Sequence, residues 1–228
     1  MKLVAMIVAA GNSQRMGFDK LMAPLAGRPV LQHSIEAFLQ CDDVTEVILV
    51  CPEERFTQLD LEFANKIIRR VDGGTDRHDS VAEGLAILAE KDAETFIAVH
   101  DGARPMISVA QISRVFHAAK ESGCAASARP VTETVKRANQ DGEVTESVDR
   151  DNLWLMETPQ IFRSDLLSDA YRQVLQNGER VTDEVSALQL IGHSTKLVIN
   201  PDPNLKITYP HDLDLAEKLI TPSREALT

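Results

Sequence analysis

Arg15 and Lys20 stand in the stretch AAGNSQRMGFDK, which directly follows an apolar run at the start of the chain. Arginine offers a planar fork of donors and lysine a compact, mobile charge, so the pair suits a polyanion. Ala9, Ala10 and Gly11 carry almost no side chain. Backbone N–H groups there can come close to a ligand and cradle phosphate oxygens. Neither G-x-x-x-x-G-K-[ST] nor G-x-G-x-x-G is present, so the stretch is no ordinary P-loop and no dinucleotide fingerprint. A surface turn with two solvated cations is the competing reading of these residues taken alone.

A second cluster is Asp101-Gly102-Ala103-Arg104-Pro105, after the run TFIAVH. A carboxylate at the end of a buried strand can hold ribose hydroxyls or a divalent cation, or it can cap a helix or turn. Arg104 can bind phosphate or pair with Asp101. In GGTDRHDS, Gly73 and Gly74 permit a close main-chain approach that could read a base. Asp79 reads as the cap of the next helix, and Ser80 is shared between capping and ligand binding. His33, His78, His100, His117, His193 and His211 are scattered, without H-E-x-x-H or triad spacing, and read as surface or packing residues. The absence of G-x-S-x-G leaves acyl transfer by a serine nucleophile unsupported.

These residues need a frame, and the hydrophobic pattern supplies one. Continuous apolar runs at Lys2–Ala10, Glu46–Cys51 and Thr95–His100 suit strands buried on both faces. Lys66–Val71, Cys124–Val131 and Thr195–Ile199 read as further strands, and Asn204–Thr208 as a last one. Helical spacing is expected over Pro29–Gln40, Ser80–Glu90, Val109–Glu121, Leu166–Leu175 and His211–Ile220, with one more helix opening at Thr182, a candidate cap. The alternation predicts a Rossmann-like α/β fold with a mostly parallel, doubly wound sheet, whose ligands sit at the carboxyl ends of the strands. Residues 132–150 break the rhythm. They alternate Thr, Val and charged residues around Asp141-Gly142, which predicts a polar β-hairpin arm. Such an arm buries little by itself, so it either packs on a second subunit or stands as a solvated flap. Residues 1–221 are expected to form a single domain, with 222–228 a flexible tail.

The chain has 228 residues and a formal net charge of −11. That balance disfavours nucleic-acid and membrane surfaces, both of which call for a positive field. Cys41, Cys51 and Cys124 show no CxxC spacing, which argues against zinc and disulfide frameworks. The first apolar run is too short to span a membrane, and removal of a leader would cut inside the Arg15–Lys20 stretch. The chain therefore reads as cytoplasmic.

From Val4 to about Leu219, the blocks AAGNSQRMGFDK, GGTDRHDSV, VHDGARP, PVTETVKR, VDRDNLW, TPQIF, TDEVSAL and NLKIT follow in order. In this they resemble the 2-C-methyl-D-erythritol 4-phosphate cytidylyltransferase family. The resemblance implies transfer of CMP from CTP to 2-C-methyl-D-erythritol 4-phosphate, giving 4-diphosphocytidyl-2-C-methyl-D-erythritol and pyrophosphate in non-mevalonate isoprenoid biosynthesis. It implies that Arg15 and Lys20 stabilise the triphosphate and transition state, while Arg150 and Lys206 place the acceptor phosphate. Nucleotide binding is implied for Ala9, Ala10, Gly11, Gly74, Ser80 and Asp101, and substrate binding for Arg104, Thr134, Lys136, Thr158 and Thr182. Mg²⁺ would be held mainly by the CTP phosphates, with Asp101 the protein candidate. A homodimer is implied, the hairpin arm reaching to the neighbour. Ser13 stands where many members have glycine and Asp19 where many have proline, departures that bear on loop conformation alone. Ribitol-5-phosphate cytidylyltransferases share most of these blocks, and a non-catalytic CTP-binding regulator is the alternative of another class. Retention of Arg15, Lys20, Arg150 and Lys206 favours the enzyme.

Overall fold

Lys2–Val8 forms strand β1, in which Leu3 to Ile7 are all buried, as expected of a strand covered on both faces. The computed structural model describes residues 1–11, 16–61, 66–88 and 92–220. After β1 come β2 (Pro24–Leu25), β3 (Arg28–Pro29), α1 (Val30–Gln40), β4 (Val44–Val50), α2 (Glu53–Phe56), β5 (Ile67–Val71) and α3 (Arg77–Ala86). They are followed by β6 (Thr95–Asp101), α4 (Val109–Ser122), β7 (Cys124–Pro130), β8 (Val135–Ala138), β9 (Val144–Val148) and β10 (Trp154–Arg163). The chain closes with α5 (Ser164–Asn177), α6 (Glu184–Leu190), β11 (Lys196–Ile199) and α7 (Pro210–Ile220).

Seven strands make one sheet in the order β11-β7-β10-β6-β1-β4-β5. Strands β4, β1 and β6 run parallel, as do β4 with β5 and β7 with β11. β10 lies antiparallel between β6 and β7. The sheet is thus mostly parallel, as the alternation predicts. Side chains of β1 alternate between two cores. Leu3, Ala5 and Ile7 pack with α1 and α4, whereas Val4 and Met6 pack with Val81 and Leu85 of α3 and Leu167 of α5. Helices on both faces of the sheet are what "doubly wound" requires.

From β1 the chain winds outward through β4 to β5, then returns to place β6 on the other side of β1. The direction of winding reverses there, so the ends of β1 and β6 open a crevice at a topological switch point. Val8 pairs with Asp101 in this register, and Gly102 N–H donates to Val8 O at 3.0 Å.

Local expectations are corrected in three places. The segment 204–208 is no strand: Ile207 N–H donates to Ala103 O at 2.8 Å, and the chain crosses the β6 loop instead of joining the sheet. Asp183, not Thr182, caps α6, its Oδ1 accepting Ser186 N–H at 3.0 Å. Helix α3 begins at Arg77, three residues before the expected Ser80, because Asp79 accepts the Asp76 N–H at 2.9 Å and closes the first turn earlier. The arm is a hairpin as expected, β8 and β9 pairing antiparallel as a separate two-stranded sheet with nearly every side chain exposed. Arg15, Ser13 and residues 222–228 lie outside the described residues.

Candidate active site

The switch-point crevice is a cleft of about 880 Å³, within the size range of small-molecule sites. Its floor is the end of β1, where Ala9, Ala10 and Gly11 lie opposite Gly73 and Gly74. The two glycines are required by close packing. A Cβ on Gly73 would fall 2.1 Å from the Cβ of Ala10, and one on Gly74 would fall 2.2 Å from the Cβ of Asp79. Ser80 Oγ accepts the Gly74 N–H at 3.2 Å and donates to Asp76 O at 3.1 Å, tying the glycine pair to α3. Gly73→Ala is therefore expected to distort the cleft wall. It should lower the melting temperature, and wild-type thermal unfolding would contradict the close packing.

Among the described residues, three cations line the cleft: Lys20, Arg77 and Lys206. Lys206 reaches the cleft because the segment before it is anchored from beneath. Asn204 Nδ2 donates to Thr158 O at 2.8 Å and to the buried Glu157 at 3.1 Å. Arg104 Nη1 donates to Asn204 O at 2.8 Å. Lys206 Nζ then sits 2.7 Å from Asp101 Oδ2, and Lys20 Nζ donates to Ile207 O at 2.8 Å. Residues far apart in sequence thereby place two ammonium groups on one strap of chain.

Asp101 organises this side. Arg77 Nε donates to its Oδ1 at 2.9 Å, and Arg104 Nε lies 3.7 Å from its Oδ2. Burial pushes the carboxyl upward, but the charges of Arg77, Lys206 and Arg104 outweigh burial and hold it well below the usual carboxylate range. A folded-state pKa lowered in this way contributes stability that is complete above the unfolded value of about 4 and is lost as pH falls below it. The stability advantage of wild type over Asp101→Asn, measured by urea unfolding, should narrow below about pH 4. A difference constant with pH would contradict the ion-pair assignment.

The same contacts test Asp101 as a metal ligand. A carboxylate already shared among three cations is a poor seat for a dication, so Asp101 does not fit the metal-binding role, and its oxygens serve Arg77 and Lys206 instead. The one grouping of three potential ligands among the described residues, Asp76, His78 and Asp79, is also committed. Asp76 accepts Arg180 at 2.6 Å, and Asp79 accepts the Asp76 N–H.

Of the residues singled out in the sequence, the cleft brings together Ala9, Ala10, Gly11, Lys20, Gly74, Ser80, Asp101 and Lys206. Others lie behind it. Thr158 Oγ1 accepts the Asp101 N–H at 3.1 Å and shares a hydrogen bond with His100 Nδ1 at 3.0 Å. Burial pushes the His100 imidazole down to about 3, and it packs against Phe38, in keeping with a packing histidine. Arg104 is spent on Asn204 and Asp101, and Thr182 stands at the start of α6 outside the lining. Thr134, Lys136 and Arg150 belong to the exposed arm and do not line this chain's own cleft. Lys136 Nζ donates to Ser147 Oγ across the hairpin, and Arg150 Nη1 to Thr132 O.

Arg77 is the residue that sequence reading passes over. Its partners Asp101 and Glu184 are 24 and 107 positions away, so no local spacing reveals it. The available signal is Glu184 itself, a carboxylate within TDEVSAL whose side chain is 0% exposed and therefore requires a cation.

A family model described as 2-C-methyl-D-erythritol 4-phosphate cytidylyltransferase matches residues 3–222. A protein of that name from Pelotomaculum thermopropionicum is 39% identical over 96% of this chain and 94% of its own. Another from Alkaliphilus oremlandii is 36% identical over 98% and 97%. The crystal structure of the Francisella tularensis protein of that name superposes with a TM-score of 0.83 at 28% identity, covering 95% of this chain and 98% of that one. The match runs through every strand whose end builds the cleft, and the chain belongs to the 2-C-methyl-D-erythritol 4-phosphate cytidylyltransferase family.

Proposed function

We propose that the switch-point cleft joins CTP to 2-C-methyl-D-erythritol 4-phosphate. The family makes the chain a cytidylyltransferase: it transfers CMP to the alcohol phosphate, giving 4-diphosphocytidyl-2-C-methyl-D-erythritol and pyrophosphate for isoprenoid precursors. The observation that carries the assignment to this cleft is the convergence of Lys20, Arg77 and Lys206 beside a strand end stripped of side chains. A phosphate oxygen of the acceptor attacks the α-phosphorus of CTP. That P–O bond forms as the bond to the β-phosphate bridging oxygen breaks, and pyrophosphate leaves with the electron pair. No protein nucleophile is required. Both reactants are anions, so the work of the site is positioning and charge neutralisation. Lys20 serves the triphosphate, and Lys206, held by Asp101, faces the incoming phosphate. Magnesium would be held mainly by the triphosphate and would neutralise part of its charge, since Asp101 is already paired with Arg77 and Lys206.

Arg150, Thr134 and Lys136 enter this scheme through a second copy of the chain. Their arm leaves its own cleft and exposes Val144 at 64%, which favours a homodimer in which each arm completes the neighbour's acceptor site. Lys20→Ala and Arg150→Ala proteins, each poorly active alone, should recover turnover when mixed. No recovery, with dimers shown by sedimentation, would sink the exchange. No helix of the described residues is long and apolar enough to cross a membrane. The three buried free thiols, Cys41, Cys51 and Cys124, support a place in the reducing cytoplasm.

Pyrophosphate release measured with CTP and either polyol phosphate tests the acceptor. Release should be far faster with methylerythritol phosphate; a preference for ribitol 5-phosphate would overturn that choice. CTP binding without release for either acceptor would instead indicate a regulator.

A further inference from the structure

Arg55 on α2 is only 7% exposed and has no part in the transfer described above. All three of its guanidinium nitrogens point at the stretch that carries Lys20. Nη1 donates to Ala9 O, and Nη2 reaches Gly11 O at 3.4 Å. Nε donates to Asp19 Oδ2 at 2.9 Å. The other oxygen of Asp19 accepts the Leu21 N–H at 3.0 Å, so Asp19 links Arg55 to the backbone just after Lys20. Arg55 is itself fixed, its N–H donating to Pro52 O at 3.1 Å, and Pro52 also lines the cleft.

One buried cation thus joins the end of β1, where phosphate oxygens would approach, to the residue preceding Lys20. A planar fork can satisfy three acceptors in fixed directions, which a lysine ammonium cannot do with the same rigidity. Leaving such a cation without its acceptors is costly, so the three contacts reinforce one another. The Arg55–Asp19 ion pair restrains the chain immediately before Lys20.

We infer that Arg55 and Asp19 form a clamp that sets the spacing between the β1 end and Lys20, making both of them positioning residues for the CTP triphosphate. The inference rests on the transferase reading of the cleft. Small displacements of groups that position a reacting phosphate cost up to about a hundredfold in rate.

The test uses the full chain with Arg55→Met, Asp19→Asn and both together, assayed for pyrophosphate release and titrated with CTP by calorimetry. Each single variant should lower kcat/KM for CTP roughly ten- to a hundredfold. KM for the polyol phosphate should stay unchanged, and the double variant should be little worse than the poorer single one. In a Lys20→Ala background, Asp19→Asn should have no further effect on turnover. Asp19→Asn keeps the acceptor for Leu21 N–H and the arginine's carbonyl contacts, so it decides the matter even if Arg55→Met does not fold. Wild-type kinetics toward CTP in Asp19→Asn, or a loss of thermal stability alone, would overturn the clamp. A wild-type chain that binds CTP but releases no pyrophosphate would sink the transferase reading. The clamp would then stand only if the variants bind CTP more weakly, and CTP binding equal to wild type would overturn it too. A wild-type chain that binds no CTP overturns both.

Discussion

Lys20→Ala is expected to lower turnover by roughly a hundred- to a thousandfold, the usual consequence of removing one preorganised charge partner where charge develops. The chain carries a formal net charge of −11, so its overall field repels a polyanion. Binding and neutralisation of CTP therefore rest on the few cations of the cleft. Lys20 is one of them, half-buried and held against Ile207 O at 2.8 Å, with its ammonium beside the cleft. Its position is fixed by Asp19 before it and by the strap that carries Lys206. Alanine at this site leaves both supports in place, so the melting temperature should move little. Steady-state pyrophosphate release and thermal unfolding on the same preparation check both halves. Near-wild-type turnover would remove Lys20 from the mechanism, and collapse of the fold would make its role structural.

The second large effect is expected from Arg77→Met, as a loss of stability. Glu184 has a side chain that is 0% exposed, and it accepts Arg77 Nη1 at 2.6 Å, Arg77 Nη2 at 3.1 Å and Tyr171 Oη at 3.0 Å. The same arginine holds Asp101 through Nε. Burial works against the charged guanidinium, but Glu184 and Asp101 outweigh it and keep Arg77 protonated. Breaking a buried pair from one side leaves an uncompensated charge. The expected cost is about 3 kcal/mol, the lower end for such losses, because Arg77 is itself 26% exposed toward the cleft. Replacing both partners, as Arg77→Met with Glu184→Gln, should cost less than Arg77→Met alone, since no buried charge is then stranded. Urea unfolding of the three variants measures this. A double variant less stable than Arg77→Met would contradict the pairing. Because Arg77 also lines the cleft, the single variant should raise KM for CTP as well.

The contrast between Lys20 and Arg77 shows where sequence reading succeeds. Lys20 belongs to a stretch whose small residues and charges lie close together in sequence, and β1, β4 and β6 announce themselves as apolar runs covered on both faces. The switch point follows from their alternation with helices. Arg77 and Arg55 act through partners that only the fold brings near, so their surroundings in sequence look like ordinary helix starts. NLKIT has the alternation of a short strand, yet Asn204 and Ile207 spend their hydrogen bonds on Thr158, Glu157 and Ala103 and hold the segment off the sheet. Thr182 and Asp183 are both competent caps, and only the geometry of the first turn selects Asp183. Asp101 stood out as a carboxylate at a strand end with Arg104 nearby, but Arg77 and Lys206, which with Arg104 decide that it orients lysine and arginine and not a metal, come from distant segments.

The central claim is that this cleft moves CMP directly from CTP to an alcohol phosphate. CTP labelled in its α-phosphate, incubated with 2-C-methyl-D-erythritol 4-phosphate and the purified chain, tests it in one step. The label should appear in the cytidine diphospho-alcohol, in step with unlabelled pyrophosphate and only when the acceptor is present. Label that stays in CTP, or that accumulates as free CMP, would contradict the account.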